Sequence, residues 1–315
     1  MLSRVADSIY WMNRYIERAE NYARFITANL LLILDLPDRT QEQWEPLIFT
    51  TGDNELFRKL YAEASRETVL EFLIQNPDNP SSIGSCIARA RENARHVREV
   101  LSLEIWQQTN EFHMQLRDYL TDFGSILSDP VEFCNEVKKQ CHLFHGYFDT
   151  SISHSEGWLF GMLGRQLERA DKITRLLDVK YFVLLPDVHA VGSSLDLLQW
   201  SAILKSASAH EMYYRKYNQL SPASIVEFLV LDGRFPRSIR FCVSEAENAH
   251  RVLTGSQPAS FSNETERRLG QLRSNLDYAG VEDVFRQGLH EYLDDIQIGL
   301  NNIGDSLAVC YFQSD

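Results

Sequence analysis

The sequence predicts an all-α protein, a helical bundle built from two homologous tandem halves related by an internal duplication. Three observations predict this fold. Glycine and proline are few, at 15 and 9 of 315 residues, and no stretch alternates regularly between apolar and polar residues as a half-buried strand would. Apolar residues recur instead with the spacing of an α-helix. The third observation is a repeat that spans most of the chain.

The first predicted helix combines an apolar stripe with a charged face. At 3.6 residues per turn, one stripe about 100° wide contains Val5, Ile9, Met12, Ile16, Ala19 and Ala23. The face pointing away from that stripe carries Arg14, Glu17, Arg18, Asn21 and Arg24. A later segment repeats this face with Arg165, Glu168, Arg169, Lys172 and Arg175. We therefore predict two equivalent helices that have an apolar and a charged side.

The repeat extends well beyond these two helices. The stretch "RYIERAENYAR" at 14–24 returns as "RQLERADKITR" at 165–175. At an offset of 156, residues 44–87 match residues 200–243 at eleven of forty-four positions without a gap. Shared helical composition alone does not account for that number. The sequence therefore predicts one domain, 1–315, in which repeats of approximately 1–154 and 155–315 pack as one body.

Bulk composition limits the class of protein and of partner. The net charge of -13 and the pI near 5.2 argue against nucleic-acid or anionic-membrane partners. The five cysteines are odd in number and form no CxxC pair, which favours a reducing compartment. No apolar run approaches the length of a membrane span, and the first residues lack the pattern of a secretory leader. We expect a cytoplasmic protein.

The charged face admits three interpretations. It could be a solvated surface whose ion pairs each contribute only about 0.2–0.5 kcal/mol. Arg14 and Arg18 stand one turn apart, as do Arg165 and Arg169, and like charges at that spacing repel. Such a pair beside a glutamate could form a cradle for a carboxylate or phosphate, or an ion network between the halves. The sequence leaves these alternatives open.

A second helix adds further candidates. In "SIGSCIARARENARHVREVLSLEIW", Arg91, Arg95 and Arg98 share one face, whereas Asn93 falls on the apolar side with Cys86. The predicted substrate- or anion-binding set is Arg14, Glu17, Arg18, Asn21, Arg24, Arg91, Asn93, Arg95, Arg165, Glu168, Arg169, Asp171 and Arg175.

The sequence predicts no metal site, no cofactor and no catalytic residue. It has no GxGxxG, Walker or GxSxG motif. The group "CHLFH", with His142 and His145, lacks a second ligand pair nearby in sequence. Glu247-x-x-His250 resembles half of a di-iron site, but the repeated position has Arg95 in place of histidine.

Three segments together resemble the alpha-E family, a helical bacterial domain. They are "LSRVADSIYWMNRYIERAENYARFI", "SSIGSCIARARENARHVREVLSLEIW" and "EGWLFGMLGRQLERADKITRLLD", and together they span the chain. One departure is Gln107 after Trp106, where the family usually has glutamate. A catalytic role for an acid at that position is therefore not expected.

The resemblance implies a functional context. Alpha-E proteins tend to be encoded beside, or fused to, circularly permuted ATP-grasp proteins, and ATP-grasp enzymes join an activated carboxylate to an amine. We therefore expect an accessory or catalytic component of an ATP-grasp-linked system that forms amide or peptide bonds. Its partner would be a circularly permuted ATP-grasp protein, and its ligand a small peptide or amino acid. The alternative is a non-enzymatic helical scaffold whose charged helices form structural ion-pair networks.

Overall fold

The protein is helical throughout the part of the chain that can be described. The computed structural model describes residues 1–35, 44–182, 193–257 and 260–313, and within these ranges it contains helices and no strand. The all-α prediction is confirmed. Among these residues, no helix is both long enough and apolar enough to cross a bilayer.

The helices fall into two runs on either side of a turn at 151–155. The first run is α1 (Ser3–Asp35), α2 (Glu45–Thr51), α3 (Asn54–Leu60), α4 (Arg66–Ile74), α5 (Ile83–His96), α6 (Leu103–Leu120), α7 (Phe123–Ser128) and α8 (Pro130–Thr150). The second run is α9 (Glu156–Phe182), α10 (Ser194–Ser206), α11 (His210–Lys216), α12 (Pro222–Val226), α13 (Ile239–Thr254), α14 (Glu264–Tyr278), α15 (Val281–Gln287) and α16 (Leu289–Leu307). Short π-helical segments, Glu227–Leu231 and Ala308–Phe312, continue α12 and α16.

The two longest helices, α1 and α9, pack against each other at the centre. Helices α5 and α8 pack on α1, and α13 and α16 pack on α9. Two shorter helices pack on the long helix of the other run: α2 packs on α9, and α10 packs on α1. Serines cap corresponding helices: Ser82 accepts from the backbone of Ser85 at the start of α5, and Ser238 from that of Phe241 at the start of α13.

A close approach of backbones brings α1 and α9 together. A methyl group added at Gly164 of α9 would overlap the carbonyl oxygen of Tyr10 on α1. One added at Gly161 would meet the Phe148 ring and the Asn13 amide. Glycine therefore permits a contact that no other residue would allow here. Buried apolar residues from α1 through α16 form one contiguous core around this contact.

Candidate functional site

Ionised side chains converge where α1 meets α9, and we call this group the α1–α9 seam. Its four buried carboxylates are Glu17, Glu20, Glu168 and Asp171. The cationic side chains paired with them are Arg14, Arg18, Arg24, Arg169, Lys172, Arg175 and Arg237. The charged face of α1 is thus enclosed by protein, because α5, α8, α9 and α10 surround this helix.

Two reciprocal ion pairs lie at the middle of the seam. Arg169 donates to Glu17 from Nε at 2.9 Å and from Nη2 at 2.8 Å. Arg18 donates to Glu168 from Nε at 2.6 Å and from Nη2 at 3.0 Å. Both carboxylates are fully buried, with side chains 0% exposed. The glutamate of each long helix thus pairs with the arginine of the other. Each arginine donates two hydrogen bonds to its carboxylate, a bidentate geometry that favours strong bonds.

Glu168 also pairs with two further cationic side chains. Arg14 lies 2.7 Å from it through Nη2, and the Lys172 ammonium lies 3.6 Å away. The shared carboxylate offsets the repulsion between Arg14 and Arg18, which stand one turn apart on α1. Burial alone would raise the pKa of Glu168, but Arg18, Arg14 and Lys172 outweigh burial and hold that pKa well below 4.5.

Arg237 completes the other side of the seam from the turn that precedes α13. Its Nη1 lies 3.0 Å from Glu17 and its Nη2 donates to Glu20. Burial would raise the pKa of Glu17, but Arg169 and Arg237 lower it below its ordinary value. Asn21 donates to the Glu17 carboxylate at 2.9 Å. The repeat gives no signal for Arg237, because the matching residue is Ser81.

The ends of the seam also correspond between the two helices. Arg24 pairs with Glu20 one turn earlier, and Arg175 pairs with Asp171 at 3.0 Å in the same way. Arg24 donates to the hydroxyl of Ser208, which follows α10 with a left-handed φ of 50°. Arg175 lies against Gly52, which follows α2 with a φ of 79°. Each helix therefore contacts a left-handed turn from the other run of helices.

Four of the predicted site residues make their contacts away from the seam. Arg165 pairs with Asp149 at 3.2 Å. Arg91 contacts Glu92 and Asn110 near α6, and the exposed Arg95 contacts Glu92. The fourth, Asn93, is half-buried on the same helix, α5. The structure thus brings together the candidates on α1 and α9, except Arg165, but does not bring those of α5 to them.

Two histidines of α8 reach the carboxylates of α1. His142 lies 3.2 Å from Glu20 and 3.0 Å from Arg24. The Nε2 atom of His145 lies 3.5 Å from Glu17 and 3.4 Å from Glu20. The sequence had given no reason to place these histidines beside glutamates more than a hundred residues earlier. The repeat gives no signal for them either, because its clear sequence matches end before α8.

Comparison with known proteins places this architecture in a family. The profile of a family described as a predicted alpha-helical domain with a conserved ER motif, Alpha-E, matches residues 1–312. This chain belongs to the Alpha-E family. The Alpha-E chain contains three Glu-Arg dipeptides, 17–18, 168–169 and 266–267. The first two are the reciprocal pairs of the seam, whereas Arg267 is exposed and pairs with Glu264.

Curated relatives of this Alpha-E chain include uncharacterized proteins of Mycobacterium bovis and Mycobacterium tuberculosis. They are 23% identical over 97% of the present chain. The chain spans only 36% of those relatives, about a third of their length. No solved structure matches the chain.

Proposed function

We propose that this Alpha-E chain is a component of an ATP-grasp-linked system that forms amide or peptide bonds. In this role it binds a carboxylate- or phosphate-bearing substrate along the α1–α9 seam. The observation that carries the proposal is the surplus of cationic side chains over buried carboxylates at the seam, within a chain whose net charge is -13.

The layering of the seam supports anion binding. Glu17 and Glu168 are fully buried, whereas the side chains of Arg14 and Arg175 remain 19% and 27% exposed. Acidic groups thus lie beneath the guanidinium groups and hold them in place. An anion arriving from solvent would meet oriented N–H donors, and charge-assisted bonds of this kind contribute about 1.5–3 kcal/mol each when shielded from water.

The proposed partner is a circularly permuted ATP-grasp protein. The resemblance to the alpha-E family supports this choice, since that family tends to be encoded beside or fused to such proteins. The curated relatives are also longer than this chain, which covers 36% of them, so they have room for a further domain. ATP-grasp chemistry passes through an acyl phosphate, and a small peptide or amino acid carrying that group would suit a seam rich in arginine.

A thermal-shift titration tests anion binding. The probes are phosphate, ADP, glutamate and short acidic peptides, with a metal chelator present. Arg14→Ala is the informative variant, because Glu168 keeps Arg18 and Lys172 when Arg14 is removed. Arg165→Ala is the matched control, since Arg165 pairs with Asp149 away from the seam.

We expect at least one anion to raise the melting temperature of the wild type and of Arg165→Ala, and to lose most of this effect in Arg14→Ala. If no probe shifts the wild type, or if both variants respond alike, anion binding at the seam is wrong. Addition of the ATP-grasp partner and measurement of phosphate release would then test whether the chain takes part in the reaction.

The reciprocal pairs favour a second candidate, a non-enzymatic helical scaffold. Glu17–Arg169 and Glu168–Arg18 satisfy one another and join the two runs of helices without any ligand. Under this alternative, no probe anion binds, and removal of either arginine leaves a buried carboxylate short of a partner. Such variants would lose stability even though no activity depends on the seam.

We also propose that the chain is one domain formed by duplication, with repeats of about 1–154 and 155–315. The order and packing of the helices support this, because α1 to α8 follow one another in the same order as α9 to α16 and make corresponding contacts. The left-handed turns at Gly52 and Ser208 stand at the same offset of 156 as the sequence match. Separately produced fragments divided after residue 154 should fold fully only when mixed, as followed by circular dichroism.

A cytoplasmic location completes the proposal. All five cysteines are free thiols, and four of them are buried: Cys86, Cys134, Cys141 and Cys242. Such a set suits a reducing compartment. Fractionation of cells that produce the full-length protein, with detection by antibody, tests this location.

A further inference from the structure

His145 of α8 faces two glutamates that occupy neighbouring turns of α1. Its Nε2 atom lies 3.5 Å from Oε2 of Glu17 and 3.4 Å from Oε2 of Glu20. One ligand atom from each of the three residues lies within 4.8 Å of the others. Within the described ranges, no other three histidine, cysteine, aspartate or glutamate residues come together in this way.

The Oε2 atom of Glu20 and the imidazole of His145 lie within ion-pair distance of each other but make no well-aligned hydrogen bond. Oε2 of Glu20 accepts no hydrogen bond although its side chain is fully buried, and neither ring nitrogen of His145 makes one. A buried polar atom without a partner costs about 1–3 kcal/mol, and more when the group is charged. Such atoms are rare in folded proteins, and a bound water molecule or ion is one of the usual reasons for them.

We propose that Glu17, Glu20 and His145 bind a divalent transition-metal ion of the Zn²⁺ class. Imidazole nitrogen and carboxylate oxygen are both ordinary ligands of this ion. A tetrahedral ion with bonds of ~2.1 Å separates its ligand atoms by ~3.4 Å, which is close to the two nitrogen–oxygen distances at His145. Three protein ligands leave a fourth position open for water or for an anionic group of a substrate.

Arginines bond to both glutamates. Arg169 donates from Nη2 to Oε2 of Glu17 at 2.8 Å, so this oxygen would be shared between the guanidinium and the ion. Arg169 and Arg237 donate to Oε1 of Glu17, and Arg24 and Arg237 donate to Oε1 of Glu20. They therefore orient the Oε2 atoms, as outer partners of a metal site do. Their positive charge also opposes the ion, so the affinity should be lower than that of a structural zinc site.

The corresponding part of the second run lacks these features. There Asp171 replaces Glu20, and it pairs with Lys172 at 3.0 Å and with Arg175 at 3.0 Å. The ammonium of Lys172 also lies 3.6 Å from Glu168, so a cation already stands between these acids. Asn21 occupies the place of Lys172 on α1 and carries no charge. The proposed metal site thus lies on the α1 side of the seam, beside α8, and it is independent of the proposed anion binding.

The test uses the full chain, stripped of metal with a chelator and then dialysed. Zn²⁺ is titrated by calorimetry, and Co²⁺ is titrated while its visible absorption is recorded. We expect one equivalent of each ion to bind, with Co²⁺ d–d bands but no sulfur charge-transfer band, because no cysteine is a ligand. His145→Ala should weaken binding by more than roughly tenfold. His96→Ala, an exposed histidine at the end of α5, should leave it unchanged.

Three results would overturn the inference: no stoichiometric binding by the wild type, equal binding by His145→Ala, or thiolate bands in the Co²⁺ spectrum, which would point to the exposed Cys310. If His145→Ala does not fold, His145→Gln serves in its place. The wild-type stoichiometry and spectrum test whether one such ion binds through nitrogen and oxygen, and the variants test whether His145 is a ligand. The anion titrations contain chelator, so the failure of either proposal is recognised independently of the other.

Discussion

Glu17 of α1 accepts two hydrogen bonds from Arg169 of α9, at 2.9 Å from Nε and 2.8 Å from Nη2. The neighbouring residues repeat this relationship in reverse, because Arg18 donates to Glu168. The Glu-Arg dipeptide of each long helix therefore forms two ion pairs with the Glu-Arg dipeptide of the other helix. Since the two carboxylates are fully buried, the packing of α1 on α9 depends on this exchange.

Removal of one arginine should therefore destabilise the whole fold. In Arg169→Ala, Glu17 loses its two-pronged partner and keeps Arg237 on Oε1. Removing one partner of a buried ion pair costs about 3–5 kcal/mol, and the remaining arginine places the expected loss near the lower end, at about 3 kcal/mol. Urea unfolding followed by circular dichroism measures the change.

The third Glu-Arg dipeptide provides the control for this variant. Arg267 is exposed and pairs with Glu264 on the surface of α14, so Arg267→Ala should leave the unfolding midpoint unchanged. Equal behaviour of Arg169→Ala and Arg267→Ala would mean that the seam does not hold α1 against α9.

Stability should fall at acidic pH because of the seam carboxylates. Burial would raise the pKa of Glu168, but Arg18 and Arg14 outweigh it and keep this pKa well below 4.5. In the unfolded chain the same group titrates near 4.5, so the unfolded state binds more protons once the pH is acidic. The contribution to stability is therefore complete above about pH 4.5 and is lost as the pH falls toward the folded pKa.

Glu168→Gln tests this pH dependence. The variant should be less stable than the wild type at pH 7, because three cations lose their shared carboxylate. Its free energy of unfolding should also depend less steeply on pH between 4.5 and 3 than that of the wild type. Parallel pH profiles for the two proteins would contradict the assignment of this titration to Glu168.

The sequence was sufficient to predict the helices, including the two long helices, α1 and α9, that carry the charged faces. Helical spacing of apolar residues and serine caps are local signals, and the repeated charged face marked the two central helices. The crossing of α2 onto α9 and of α10 onto α1 could not be predicted, because it depends on the path of the chain in space. The π-helical segments that continue α12 and α16 have no local signal that we recognise.

The sequence predicted only those site residues that lie on the repeated charged faces. The angular positions of Arg18 and Arg169 around their helices are the same relative to the repeated motif. Such a position gives the direction of a side chain but does not identify its partner, so the sequence leaves the ion pairs open. Arg237 has no equivalent in the repeat, where Ser81 stands. The sequence does not indicate His145 as a ligand, because no second ligand pair lies near it in the chain. Its neighbours Glu17 and Glu20 come from another helix.

His250 of α13 should make stability depend on pH in a higher range. Burial lowers the pKa of this histidine to about 4, and its Nε2 lies 3.0 Å from the hydroxyl of Tyr311. Between pH 6.5 and 4 the unfolded chain therefore binds a proton that the folded chain does not, and stability falls as the pH falls. The total loss is about 3 kcal/mol.

Replacement of this histidine isolates its contribution. His250→Gln cannot titrate, so the difference in unfolding free energy between the wild type and the variant should shift in favour of the variant as the pH falls from 6.5 to 5. Taking the difference cancels the other histidines, including His290, whose pKa is raised by Asp178. A difference that stays constant over this range would show that folding does not lower the pKa of His250.

Gly164→Ala tests whether the seam requires the close approach of its helices. The added methyl group would overlap the carbonyl oxygen of Tyr10, a backbone atom that cannot rotate away. Helices α1 and α9 would have to separate, which would lengthen the ion pairs and disturb the core packing. Overpacking of this kind costs about 1–3 kcal/mol.

Gly304 of α16 is the matched control, because a methyl group there meets nothing within 4 Å. Gly304→Ala should stabilise the protein by roughly 0.5–1 kcal/mol through helix propensity. Denaturant unfolding should therefore give opposite signs for the two variants, and a stabilised Gly164→Ala would show that α1 and α9 are not in backbone contact.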